Sequence, residues 1–66
     1  MPSGPAHLHE RWGHDGAALA HLESVGLKPN RGGIFQISRS KQLSETDISA
    51  LDYLFMEWDY GTEWAD

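Results

Sequence analysis

Cysteine is absent from this chain, and so is any lysine or arginine beyond Lys41. Without cysteine there is no disulfide, no thiolate nucleophile and no Cys-based zinc site, and nothing points to an oxidising compartment. Long apolar runs are also missing. The longest, Ala17 to Ala20 and Tyr53 to Met56, are four residues each, against the roughly 20 that a membrane-spanning helix needs. The opening MPSGPAHLHE has neither the basic n-region nor the apolar h-region of a secretory leader. These absences predict a soluble, cytoplasmic protein. At 66 residues the chain is expected to form a single domain, in a size range where the core supplies only about 3 to 5 kcal/mol.

What the chain does have is a charge split. From Glu45 onward there are seven carboxylates (Glu45, Asp47, Asp52, Glu57, Asp59, Glu63, Asp66) and no Lys or Arg, net −7, whereas residues 1–44 carry five basic residues against three acids, net +2. Tyr53, Phe55, Trp58, Tyr60 and Trp64 lie in the same acidic segment. Carboxylates attract and orient a cationic partner, and aromatic rings supply contact area. The overall charge of −5 argues against direct binding to nucleic acid or to an anionic membrane surface, both of which call for cationic side chains.

Local signals predict an α+β domain. Pro5 suits a first helical turn and Gly13 a stop, so residues 1–14 read as a short helix or a weakly ordered lead-in. Asp15 as a cap, Ala18, Leu19, Leu22 and Val25 at helical spacing, and Gly26 as a left-handed terminator predict a helix over 15–25. The turn signal Pro29-Asn30-Arg31-Gly32 precedes Ile34, Phe35 and Ile37, so residues 27–38 read as a hairpin or one strand with an extended lead-in, of which a short antiparallel hairpin is the expected form. Ser44 with Asp47 forms a capping-box pattern, and Leu43 with Ile48 stands at the positions of a hydrophobic staple. The helix that starts there is expected to run to about Tyr60, with Gly61 as its stop and residues 61–66 as an acidic aromatic tail. Its expected buried face is Ile48, Leu51, Leu54, Phe55 and Trp58. The expected core adds Leu19, Leu22, Val25, Ile34, Phe35, Ile37 and Leu43.

On this helix Asp52 and Asp59, joined by Glu45 and by Glu63 if the helix persists, project from one flank, and Tyr53, Met56 and Tyr60 form a further stripe that is at least partly exposed. One account is a solvated surface helix whose aromatics fill the core. Against it, an ordinary solvated helix would intersperse Lys or Arg at i+4, and carboxylates near a helix C-terminus oppose the macrodipole at about 0.3 to 1 kcal/mol each. Carboxylates at i, i+7 and i+11 stand about 6 to 10 Å apart along the axis, a spacing comparable with successive phosphates. The candidate partner-binding residues are therefore Asp52, Tyr53, Glu57, Asp59, Tyr60, Glu63, Trp64 and Asp66, acting in a monomer on a protein or ribonucleoprotein with a positively charged surface.

Other chemistry finds less footing. His7, His9, His14 and His21, with Glu10, do not reproduce the H-E-x-x-H spacing of a zinc helix, and Gly13 and Gly16 interrupt a continuous one, so no metal and no cofactor are expected. The serines lack a nucleophile-elbow context, Arg31-Gly32-Gly33 lacks the lysine of a phosphate loop, and paired carboxylates need a concave site that so short a chain scarcely offers. A non-enzymatic protein is expected. The basic belt Lys28, Arg31, Arg39 and Lys41 either balances the acidic helix internally or, with Gln36 and an exposed strand edge, accepts an acidic peptide by β-augmentation.

Two resemblances bear on this. The succession of a helix, VGLKP, GGIFQIS and LSETDISALDYL resembles the β-hairpin docking domains of the TubC type over residues 15–56. That resemblance implies capture of a short peptide motif, with Arg31, Phe35 and Arg39 in contact, and leaves the ending EWDYGTEWAD unexplained. In size, acidity and lack of cysteine and catalytic motifs, the whole chain is similar in character to the small inhibitors carried by phages, notably anti-CRISPR proteins. This second resemblance implies binding to a CRISPR surveillance complex at its DNA path, with Asp52, Glu57, Asp59, Glu63 and Asp66 at phosphate positions and Tyr53, Tyr60 and Trp64 as anchors.

Overall fold

The computed structural model describes residues 5–14 and 16–65, with side chains from Leu8 onward. Among the described residues three helices and two strands follow one another as α1 (Pro5–Trp12), α2 (Ala17–Ser24), β1 (Ile34–Ser38), α3 (Glu45–Trp58) and β2 (Gly61–Ala65). The domain is α+β, as expected. The predicted cap at residue 15 and the candidate binding residue at 66 lie outside the described residues.

Each helix ends where its local chemistry dictates. The Gly13 amide closes α1 on the His9 carbonyl at 2.8 Å. After α2, Gly26 takes φ 86°, and the amides of Gly26 and Leu27 return to Glu23 and Leu22 at 3.0 and 2.8 Å. This double return satisfies carbonyls that a helix end leaves without partners. At the start of α3 the Ser44 hydroxyl accepts from the Asp47 amide while the Asp47 carboxylate accepts from the Ser44 amide, so the predicted capping box is formed. The stop differs from expectation: α3 ends at Trp58 because Asp59 takes a left-handed conformation, φ 58°, one that Asp tolerates better than most residues.

The larger correction concerns the strands. β1 pairs with β2 in parallel, in the register Ile34 with Gly61 through Ser38 with Ala65. The two strands form a βαβ unit in which α3 is the crossover, and the expected antiparallel hairpin is reduced to an isolated bridge between Pro29 and Phe35. Two ladder ends are clamped, by the Gly61 amide on the Gly33 carbonyl at 2.9 Å and the Arg39 amide on the Ala65 carbonyl at 2.6 Å. The turn before β1 is held by Asn30, whose side-chain oxygen accepts from the amides of Gly32 and Ile34 at 2.8 and 3.0 Å. Such a side-chain bond stabilises a turn but propagates no ladder. The segment 61–65, read as a tail, is a strand.

The core gathers Trp12, Ala18, Leu22, Leu27, Phe35, Ile37, Ala50, Leu51, Tyr53 and Leu54. Both α1 and α2 pack on α3. Trp12 Nε1 donates to Ser49 Oγ at 2.8 Å and Arg11 Nη2 to Thr46 Oγ1 at 3.0 Å, while His9 meets Glu57 at 2.9 Å. Rising numbers on α1 thus meet falling numbers on α3, so the two helices run in opposite directions. Leu19, Val25 and Leu43 pack at the core margin.

Candidate functional site

Successive residues of an α-helix turn by about 100°, which places Asp47, Ala50, Leu51, Tyr53 and Leu54 on the inward side of α3, all of them buried. The opposite arc, about 100° wide, carries Glu45, Ile48, Asp52, Phe55 and Met56, all exposed, and Asp59, just past the helix end, is exposed as well. The expected buried face therefore holds only at Leu51 and Leu54. Ile48 is 47% exposed, Phe55 64% and Trp58 63%, whereas Tyr53 is only 6% exposed. The helix is turned by about 80° from the orientation that greatest hydrophobicity would select.

That rotation has an identifiable cause in the contacts of the inward face. Asp47 sits there because His21 of α2 receives it: Nε2 lies 2.6 Å from Oδ1. Ala50 is fully buried, and so small a residue lets the neighbouring helices approach. Tyr53 packs edge-on against the His9 ring with centroids 5.5 Å apart, and the Trp12 ring lies 5.4 Å from His21. A polar pair and a small residue thus occupy positions that a purely apolar face would give to Phe55 and Trp58. The Asp47 carboxyl is held below the usual carboxylate range, first by the Ser44 backbone N–H and then by His21, against the opposing effect of burial.

The predicted partner-binding residues separate into distinct settings. Asp52 is exposed on the outward arc, together with Glu45, and Asp59 is exposed just past the end of α3. Glu57 leaves that arc and pairs with His9. Tyr53 is a core residue. Tyr60 is half-buried, with its ring 6.1 Å from that of Phe35, and lines an open recess of about 220 Å³ with Ala17, Leu19, Tyr53, Leu54 and Trp58. Glu63 lies on β2, where its Oε1 accepts from Gln36 Nε2 at 3.0 Å, so the continuous helical row through Asp52, Asp59 and Glu63 does not form. Trp64 is exposed on β2, and Asp66 lies outside the described residues.

Sequence reasoning missed the outward apolar residues Ile48 and Phe55, which interleave with Asp52 and Asp59. The spacing 45, 48, 52, 55, 59 alternates steps of three and four, the period of a helix seam, and that signal was present in the sequence. Of the basic belt, Lys28 pairs with Glu23 at 3.7 Å on the side of α2. Arg11 of α1 reaches Thr46 of α3 and also lies 5.3 Å over the Trp12 ring. Among the described residues no three His, Asp or Glu side chains form a group fit to hold a metal ion, and no helix is long and apolar enough to cross a membrane.

The chain belongs to the family described as Phage Pam3 gp59 related protein, whose model it matches over residues 1–65. No curated protein and no solved structure matches it.

Proposed function

We propose that this phage-related chain is a non-enzymatic acidic binding protein, an inhibitor that blocks DNA binding by a host CRISPR surveillance complex in the manner of anti-CRISPR proteins. The observation that carries this reading is the outward arc of α3: Glu45 and Asp52 stand exposed on one side of one helix, with Asp59 exposed just past its end, in a segment devoid of Lys and Arg. Carboxylates fixed on a rigid element are pre-oriented for a cationic surface and steer association toward it. The phage family supports a role against a host component.

The test is a competition between labelled target DNA and increasing amounts of this protein for purified surveillance complexes, at two salt concentrations. Loss of DNA binding that weakens as salt rises is expected, because a charge-steered complex is screened. Absence of any effect across several CRISPR types would overturn the assignment. The peptide-docking alternative draws less support: Phe35, its central contact, is 1% exposed, and β1 is flanked by β2 and by the bridge at Pro29.

A further inference from the structure

We infer that the outward arc of α3 docks a basic amphipathic helix of the partner protein, in a two-helix seam. The inference deepens the binding reading above and rests on it, and it names what part of a cationic target the chain would take. Positions 45, 48, 52 and 55 alternate steps of three and four, so Glu45, Ile48, Asp52 and Phe55 form one straight row along a helix of 14 residues, and Asp59 stands exposed just past its end. A phosphate mimic needs the carboxylates alone. Here the row interleaves acids with two large apolar side chains, Ile48 at 47% and Phe55 at 64% exposure, and Met56 flanks them at 46%. Apolar anchors one or two turns apart are how an amphipathic helix is recognised, and contiguous exposed apolar surface rimmed by charge marks a protein contact.

The charge on the row decides the occupant. A second copy of this chain, paired about a twofold axis near Asp52, would set Asp52 against its own counterpart, and in-register parallel pairing would do so at Glu45 and Asp52 alike. Like charges at a seam disfavour both arrangements. A helix with Lys or Arg opposite Glu45 and Asp52, and with aliphatic residues opposite Ile48 and Phe55, satisfies every position of the row.

The experiment titrates the isotope-labelled full chain with a three-heptad Leu/Lys amphipathic peptide, and with a peptide of the same composition in permuted order. The patterned peptide is expected to shift the amide resonances of the outward arc of α3 and to bind more tightly than the permuted one. Phe55→Ala and Asp52→Lys are each expected to weaken it by at least about tenfold. Both positions are exposed, so these variants fold, which their unchanged spectra elsewhere would verify. Equal binding of the two peptides would overturn the seam while leaving a purely charge-based inhibitor standing. Indifference to Phe55→Ala, or shifts confined to other elements, would overturn it outright. Self-association by sedimentation that Phe55→Ala abolishes would also overturn it, by making a second copy the occupant. Seam binding with no effect on any surveillance complex would retain this inference and remove the proposed target.

Discussion

His21 Nε2 of α2 lies 2.6 Å from Oδ1 of Asp47, and the other oxygen of that carboxylate accepts from the Ser44 amide that caps α3. One side chain thus starts the crossover helix and fixes its rotation about its own axis. The consequence reaches the surface, because that rotation turns Asp52, Phe55 and Met56 outward.

The acid limb of stability should depend on Asp47. Its folded pKa is lowered, chiefly by the Ser44 backbone N–H, so the ionised form is favoured by folding. That contribution is fully present above the unfolded value of about 4 and is lost as pH falls through it toward the lower folded value. Thermal unfolding followed between neutral pH and pH values below about 4 should show a steeper fall for the natural chain than for Asp47→Asn. Parallel profiles for the two would contradict the linkage.

Neighbouring residues on α3 should differ sharply in their effect on folding. Leu54→Ala empties a buried position and is expected to cost about 2 to 5 kcal/mol, a large share of what so small a domain has. Phe55→Ala removes a side chain that is mostly in water and should change stability by no more than about 0.5 kcal/mol. Urea unfolding of both variants decides it, and a reversed order would mean that the helix is rotated the other way.

The parallel register is open to a chemical test. Gln36 and Glu63 are direct partners across the strands, and adjacent strands lie about 4.8 Å apart, within the span a disulfide bridges. A Gln36→Cys, Glu63→Cys double variant is expected to close an intramolecular bond on mild oxidation, read by mass and by mobility under non-reducing conditions. A chain that yields only intermolecular dimers would not have this pairing.

Gly13 should not accept a side chain. A Cβ there would collide with the His9 backbone oxygen, at the turn where α1 closes and Trp12 and Arg11 reach α3. Gly13→Ala is expected to lower stability by about 1 to 3 kcal/mol and to disturb the Trp12 indole signal, measured by near-ultraviolet circular dichroism. Retention of both would show that the turn relaxes without loss.

Much of the local structure was legible. Ser44 and Asp47 announced α3, Gly26 the end of α2, and Gly13 the end of α1, because each cap is a bond among residues a few positions apart. The split of charge at Glu45 was equally plain, as was the class of element at residues 34–38. The outward apolar row was not recognised, since hydrophobicity alone assigns Ile48, Phe55 and Trp58 to the interior.

The sequence by itself determined the caps, the helical segments and the acidic character of the last third, all properties of neighbours along the chain. Tertiary structure alone decided which side of α3 is buried and which strand lies beside β1. Those choices depend on the fit of residues far apart, His21 with Asp47 and Trp12 with Ser49, and on a ladder between strands separated by a whole helix. A pairing over such distances forms only when the entire core closes around it, so no local pattern carries it.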